Sequence, residues 1–266
     1  MNKRKILGIA LIIFIFVGLG ITVAYVITEL NNEKDIEIIK VETTDAMKFK
    51  SEIEELNGKE VEEGKTYRTV NVSDNNPIKY ATASDIVNRM NNKETFIVYF
   101  GFDTCPWCRS IIEMMLKSAS NNNISTIYYV DVKNIRDKYE LNDNNEAIRT
   151  VEGTEGYYQL LDKLNVILDD YKPLTYNAKK RGKNVLVEVP IEEKRIYAPN
   201  IVLVKNGEAT KLITGISPNE TDPYQELTPE MLSYTLNEFN MLFEEFNKEA
   251  ETTTTTMPVC DDKHNC

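Results

Sequence analysis

The stretch TFIVYFGFDTCPWC, residues 95 to 108, decides the interpretation of this chain of 266 residues. Its first six residues are β-branched, apolar or aromatic, a composition that is typical of a buried strand. Cys105 and Cys108 follow, with only Pro106 and Trp107 between them. Because proline favours the first position of a helix, Pro106 predicts a helix that begins directly after Cys105. The cysteine pair is therefore expected at a strand-to-helix turn.

This placement predicts different roles for the two sulfur atoms. Cys105 would be the N-cap, where its sulfur accepts hydrogen bonds from free backbone N–H groups and lies near the positive end of the helix dipole, so its thiolate is favoured. Cys108 would follow one turn later, with its Cβ roughly 5 to 6 Å away, close enough to form a disulfide with Cys105 after a small adjustment. We therefore expect Cys105 to be the reactive sulfur and Cys108 the resolving one.

The elements around the pair predict an α/β fold. Apolar residues recur at helical spacing from Ile111 to about Ala119, and residues 124–132 read as a strand, which completes a βαβ unit. Residues 200–204 and 209–214 form a predicted hairpin around the turn Asn206-Gly207. The remaining predictions are a strand over 67–72 and helices over 45–56, 83–90 and 228–248.

The domain organisation is predicted from composition and pattern. Residues 134–195 read as an insertion that holds a polar stretch, a helix over 154–169 and two strands over 174–178 and 185–189. The predicted divisions are a cytoplasmic tip and transmembrane anchor at 1–30, a stalk and N-terminal helix at 31–65, the main domain at 66–249, and a disordered tail at 250–266.

The N-terminal segment predicts a single-pass membrane anchor. Three positive residues, Lys3, Arg4 and Lys5, precede an uncharged run over 6–28 that is long enough to cross a bilayer as a helix. A cleaved signal peptide is the alternative, although Thr22-Val23-Ala24 is a weak cleavage site. Since positive residues stay in the cytoplasm, the rest of the chain is expected outside it, at the cell membrane, where disulfides persist.

The charge and the histidine content exclude several classes of function. The formal net charge is −11, which argues against nucleic acid as a partner. The single histidine, His264, lies in the tail. A Ser-His-Asp or Cys-His site in the folded domain is therefore excluded.

Two other interpretations of the cysteine pair are a structural disulfide and half of a zinc site. Zinc needs further ligands, and the rest of the predicted domain contains no other cysteine or histidine. A Cys-x-x-Cys pair within a βαβ unit is the usual context of a redox motif. Thiol–disulfide exchange is therefore the favoured interpretation.

Two segments of the sequence resemble the thioredoxin superfamily. FIVYFGFDTCPWC is similar to the strand and active-site turn of that family, and YAPNIVLVKNGE, residues 197 to 208, is similar to its stretch with a cis-proline that faces the cysteines. The resemblance implies a thioredoxin-like fold, a central mixed sheet flanked by helices. It also implies that Pro199 is cis and that Trp107, Ala198 and Pro199 bind the substrate beside Cys105.

The chain also departs from that family. Many members carry a buried carboxylate six residues before the first cysteine, where this chain has Tyr99, interpreted as a core residue. Glu113, further along the helix, is the other group considered for assisting Cys108. The Pro106-Trp107 pair is more similar to glutaredoxins, whereas the anchor resembles membrane-anchored, extracytoplasmic thioredoxin-like proteins of Gram-positive bacteria.

The predicted function is that of an anchored thiol-disulfide oxidoreductase. Its expected partners are thiols and disulfides of exported proteins or peptides, together with a membrane redox partner, and no cofactor or metal is expected. The alternative is a peptide-binding or secretion-accessory module with the same fold, in which the peptide lies alongside Pro199.

A second cysteine pair, Cys260 and Cys266, lies in the predicted tail. One prediction is a shuttle, in which a flexible tether brings these thiols to Cys105. The alternatives are a local disulfide in a disordered end and metal delivery by Cys260, His264 and Cys266.

Overall fold

The computed structural model describes the backbone of residues 12–14, 21–25 and 39–255, and the side chains of residues 43–248. The helices in this part of the chain are α1 (Asp45–Glu54), α2 (Ala83–Asn91), α3 (Pro106–Asn121), α4 (Glu155–Leu164) and α5 (Pro229–Thr255). The strands are β1 (Ile12–Phe14), β2 (Ile21–Tyr25), β3 (Ile39–Glu42), β4 (Glu60–Glu62), β5 (Lys65–Thr66), β6 (Ile78–Tyr80), β7 (Phe96–Gly101), β8 (Ile127–Asp131), β9 (Lys138–Leu141), β10 (Ala147–Val151), β11 (Leu174–Lys180), β12 (Lys183–Val189), β13 (Asn200–Lys205) and β14 (Glu208–Ile213).

A mixed five-stranded sheet forms the centre of the fold, with the order β14-β13-β7-β8-β6. The strands β6, β8 and β7 run parallel, whereas β13 is antiparallel to both β7 and β14. The hairpin of β13 and β14 turns at Asn206-Gly207, where both residues have positive φ, as this turn type requires. The prediction of an α/β fold with a central mixed sheet flanked by helices is confirmed at this level.

Helices cover both faces of the sheet. On one face, α1, α3 and α5 contribute buried residues to a single apolar cluster. On the other face, α2 and α4 form a second cluster with the opposite side of the strands. Strand β7 lies in the middle and is buried along its whole length: Ile97 and Tyr99 face the first cluster, while Val98 and Phe100 face the second. This explains why β7 is apolar without alternation.

The segment 134–195 contributes one helix to the core and two hairpins outside the central sheet. Tyr157, Leu160 and Leu164 of α4 are fully buried against α2 and the sheet. The two strands predicted in this segment are confirmed as β11 and β12, which are each longer than predicted and pair as a hairpin. The hairpin of β9 and β10 was missed, because its residues are mostly exposed and polar and give no apolar pattern.

The strand predicted over 67–72 is wrong. Val70 and Val72 are buried in the first cluster, which accounts for the alternating pattern. Their backbone groups, however, bond side chains: Asn57 pairs with the N–H and the C=O of Val70, and Glu54 accepts from the N–H of Val72. The segment therefore has the periodicity of a strand without a neighbouring strand.

Both ends of the chain extend beyond the described side chains. The backbone helix α5 continues to Thr255, so the tail predicted to begin at residue 250 is helical over its first residues. Strands β1 and β2 lie within the predicted anchor at 6–28, and its other residues lie outside the described part, so the anchor stays a prediction. None of the helices in the described residues is long and apolar enough to span a membrane.

Candidate active site

The cysteine pair lies at the turn from β7 to α3, as the sequence predicts. Pro106 is the first residue of α3, and Cys105 is its N-cap with extended backbone. The backbone N–H of Cys108 donates to the Cys105 sulfur over 3.2 Å. Both cysteines are reduced. Because Cys105 lies at the N-terminus of this 16-residue helix, the positive end of the helix dipole points at it.

The Cys105 thiol has a pKa below its ordinary value. The largest cause is the hydrogen bond with the Cys108 side chain, and the backbone N–H groups of Cys108 and Trp107 add to it, whereas burial acts in the opposite direction. Cys105 is only 3% exposed, so its sulfur is covered in this structure. The thiol also donates to the carbonyl oxygen of Ala198, 3.5 Å away, which covers it.

Cys108 has the opposite electrostatics. It is fully buried, and burial raises the pKa of its thiol well above the ordinary value, with the hydrogen bond and charge of Cys105 acting in the same direction. The Tyr99 side chain acts in the opposite direction and lowers this pKa in part. The Cys105 thiol thus loses its proton more readily than the Cys108 thiol, the order that stepwise disulfide exchange needs.

The structure brings the other predicted site residues to the same place. The Ala198–Pro199 peptide bond is cis, which confirms that expectation. Ala198 is half-buried and packs against both clusters, while Pro199 is buried. Trp107 is half-buried against the first cluster. The carbonyl of Ala198 is the group in contact with Cys105.

The charge that acts on Cys105 comes from a residue that the sequence analysis did not identify. Arg136 lies over the ring of Phe102, 5.3 Å from its centroid, and its positive charge contributes to the lowered pKa of Cys105. Its Nη1 donates to the carbonyl of Ile196 over 3.4 Å. No sequence signal identifies Arg136, because it reaches the site only through the path of the segment 134–195.

Arg109, which the sequence places next to Cys108, points elsewhere. It is 2% exposed and donates to the carbonyls of Arg68 and Ile53 and to the side chain of Asn57. Arg136, and not Arg109, is therefore the arginine that lowers the pKa of Cys105. Arg109 instead joins α3 to the end of α1.

The remaining candidates are engaged elsewhere or lie outside the described residues. Glu113 accepts from the backbone and side-chain N–H groups of Asn71, and no hydrogen bond joins it to Cys108. Cys260 and Cys266 lie outside the described residues, and the shuttle stays a prediction. Within residues 43–248 no group of three or more histidine, cysteine or acidic side chains is arranged to hold a metal ion.

A scan against protein-family models and a search of curated proteins both gave no match for this chain.

Proposed function

We propose that this chain is a thioredoxin-like thiol-disulfide oxidoreductase that acts on exported proteins. The segment 6–28 would hold it in the cell membrane with the folded domain outside the cytoplasm. The resemblance of two separate sequence segments to the thioredoxin superfamily supports the proposal. The mixed sheet with helices on both faces is compatible with it.

One observation carries the proposal: the N-cap position of Cys105, with the N–H of Cys108 3.2 Å from its sulfur. Backbone donors at a helix N-terminus stabilise a thiolate without any histidine. The described domain indeed has none, since His264 lies in the tail. A dithiol of this kind exchanges disulfides with no cofactor.

The reaction follows from the different states of the two sulfurs. The Cys105 thiolate attacks a substrate disulfide, forms a mixed disulfide and releases one substrate thiolate, which takes up a proton. Cys108 then loses its proton and attacks the Cys105 sulfur, which releases the second substrate thiol and leaves a Cys105–Cys108 disulfide. The backbone near Ala198 is the site where the substrate chain lies during both steps.

Reduction of insulin disulfides tests this proposal. The full-length chain, kept in detergent, is assayed with dithiothreitol beside Cys105→Ser and Cys108→Ser. We expect turnover above the background only for the native chain, and a trapped mixed disulfide for Cys108→Ser. A native rate equal to that of Cys105→Ser would contradict the proposal and leave the peptide-binding module, which binding of an extended peptide then tests.

A further inference from the structure

An ion pair between Asp137 and Arg195 is buried in the fold. Nη1 of Arg195 lies 3.0 Å from the Oδ1 atom of Asp137 and also donates to the backbone carbonyl of Asp137 over 3.1 Å. The side chain of Asp137 is 0% exposed and that of Arg195 is 12% exposed. The second carboxylate oxygen of Asp137, Oδ2, is buried and has no hydrogen-bond partner among the described residues. Arg195 is therefore the main group that compensates this buried carboxylate.

The pair cross-links two segments that both carry groups of the candidate site. Asp137 follows Arg136 directly in the sequence, and Arg195 directly precedes Ile196. Nη1 of Arg136 donates across to the carbonyl of Ile196 over 3.4 Å. Two links of opposite direction thus join the two segments, and the second segment continues to Ala198.

Ala198 is the point at which this second segment meets the cysteines. Its carbonyl oxygen lies 3.5 Å from the Cys105 sulfur. Between Lys194, which forms an isolated bridge, and Asn200, the first residue of β13, the chain belongs to no strand. A strand ladder therefore does not fix this stretch. The ion pair is made at its beginning, three residues before Ala198.

Arg195 is itself held in one position. Its guanidinium carbon lies 4.3 Å from the centroid of the Tyr171 ring, and its backbone N–H donates to the carbonyl of Asp169 over 3.1 Å. The guanidinium is a planar group that presents its donors in a rigid arrangement. Because desolvation offsets much of the attraction within a buried ion pair, such a pair is weak evidence for stability. Its effect here is to fix the geometry of the chain around it.

We propose that Asp137 and Arg195 are positioning residues whose ion pair holds the Ala198 carbonyl over the Cys105 sulfur. This inference rests on the proposed function, in which the substrate chain lies along the backbone near Ala198. The pair acts through the chain that follows Arg195 and not on the sulfur atoms themselves. Loss of either partner loosens this cover. A small reagent then reaches Cys105 more easily, whereas a protein substrate loses a fixed backbone to bind.

Alkylation with iodoacetamide measures the cover over Cys105. The full-length chain, kept in detergent, carries Cys260→Ser and Cys266→Ser, so that only the active-site pair can react. It is compared with Arg195→Gln, with Asp137→Asn and with the double variant. The pH is set above the midpoint of the alkylation profile in every variant, so that the rate reports access to the sulfur and not its ionisation.

The chain offers two controls. Lys194→Gln removes one positive charge from the residue next to Arg195, but the ion pair of Lys194 with Asp170 is at the surface, with side chains 36% and 81% exposed. Exposed pairs contribute little, so this variant should resemble the parent. Cys108 is the internal control, because it is fully buried and is labelled only when the whole domain loosens.

We expect roughly threefold faster alkylation of Cys105 in each single variant, the factor that loss of one ordinary hydrogen bond gives, with Cys108 unlabelled. The double variant should be no faster than the faster single variant, since partners of one pair are not additive. An unchanged rate, additive effects, or an equal effect of Lys194→Gln would overturn the inference.

The milder substitution decides the case in which Arg195→Gln is poorly folded and exposes Cys108. Asp137→Asn keeps the shape of the side chain and an oxygen that accepts from Arg195. It should still accelerate the alkylation of Cys105 alone. An equal increase in the labelling of Cys108 in this variant would show general loosening and would overturn the inference.

Turnover of insulin should respond with the opposite sign. We expect KM to rise by roughly threefold in both single variants with kcat nearly unchanged, because only binding of the substrate chain is weakened. An unchanged KM would contradict the inference. Failure of the proposed function gives a different result, since the parent would then turn over insulin no faster than Cys105→Ser. The alkylation rates would still decide whether the pair holds the Ala198 carbonyl in place.

Discussion

At the scale of single residues, the site combines the N-terminus of α3 with one positive charge, Arg136, which comes from a later segment of the chain. Arg136 is half-buried, and its Nε has no hydrogen-bond partner among the described residues. Its positive charge acts on both cysteines and on the carboxyl group of Asp131. Arg109 is buried and follows Cys108 directly in the sequence, but its hydrogen bonds hold α1 and α3 together.

Substitution of each arginine in turn tests which of them acts on Cys105. Arg136→Gln removes a charge that lowers the pKa of Cys105, so that pKa should rise and the pH profile of iodoacetamide alkylation should move to higher pH. Near neutral pH we expect roughly threefold slower alkylation of Cys105, equivalent to about 0.7 kcal/mol, within the range for a partly exposed charge pair.

Arg109→Gln is the control for that experiment. It should lower the melting temperature through lost buried hydrogen bonds and leave the alkylation profile of Cys105 in place. Alkylation is followed by mass spectrometry of the peptide that contains both cysteines. A displaced profile for Arg109→Gln, or none for Arg136→Gln, would show that the assignment of the cation is wrong.

At the scale of elements, two hairpin turns have the same backbone and different surroundings. Gly207 between β13 and β14 and Gly182 between β11 and β12 have φ of +79° and +77°. A Cβ at Gly182 meets nothing within 4 Å, whereas at Gly207 it would be 2.1 Å from the carbonyl oxygen of Met90. The N–H of Gly207 also donates to the carbonyl of Glu94 over 2.9 Å. The central hairpin is thus anchored against the end of α2.

We predict different costs for alanine at these two turns. Gly182→Ala should cost about 1 to 2 kcal/mol, the strain of a left-handed residue. Gly207→Ala should cost about 1 to 3 kcal/mol more, because backbone must move to admit the methyl group. Equilibrium unfolding in urea measures both. Equal losses would mean that the contact with Met90 contributes nothing to the free energy of unfolding.

The elements also show what the sequence can and cannot predict. The run from Thr95 to Phe100 and the proline after Cys105 define a strand, a turn and a helix locally, so the thiolate-favoured sulfur could be identified from them. The approach of Arg136 to Cys105 depends on how the segment 134–195 packs against the site, for which local patterns hold no information. The strand predicted over residues 67–72 is wrong for a related reason. An alternation of apolar residues indicates that alternate side chains are buried, but it does not indicate that the segment pairs with another strand.

At the scale of the whole molecule, α5 leads the chain away from the cysteines. Asn247 near its end donates to the carbonyl of Asn122, just beyond the end of α3 that is remote from Cys105. The 16 residues of α3 separate the two ends by about 24 Å. From Thr255, five residues reach Cys260 and span at most about 17 Å, whereas eleven residues reach Cys266 and span at most about 38 Å.

This geometry restricts the predicted shuttle to one of the two tail cysteines. In Cys108→Ser, any disulfide that joins Cys105 to the tail of the same chain should use Cys266, since the tether to Cys260 is too short while α5 is intact. Non-reducing peptide mapping distinguishes the two, with Cys266→Ser added as the control. A Cys105–Cys260 peptide from a monomer would contradict the geometry, and a disulfide within the tail alone would remove the shuttle.

The site is built from parts of the chain that are made at different times. Cys105 and the Ala198 carbonyl that accepts its hydrogen bond are separated by 93 residues. Translation at about 5 to 20 residues per second needs roughly 5 to 19 seconds to add that segment. During this interval β7 lacks its neighbour β13, and the nascent chain carries two cysteines without their covering strand. Newly made chains therefore go through a period in which the Cys105 sulfur lacks the Ala198 carbonyl that contacts it in the folded domain, and this period ends when β13 joins the sheet.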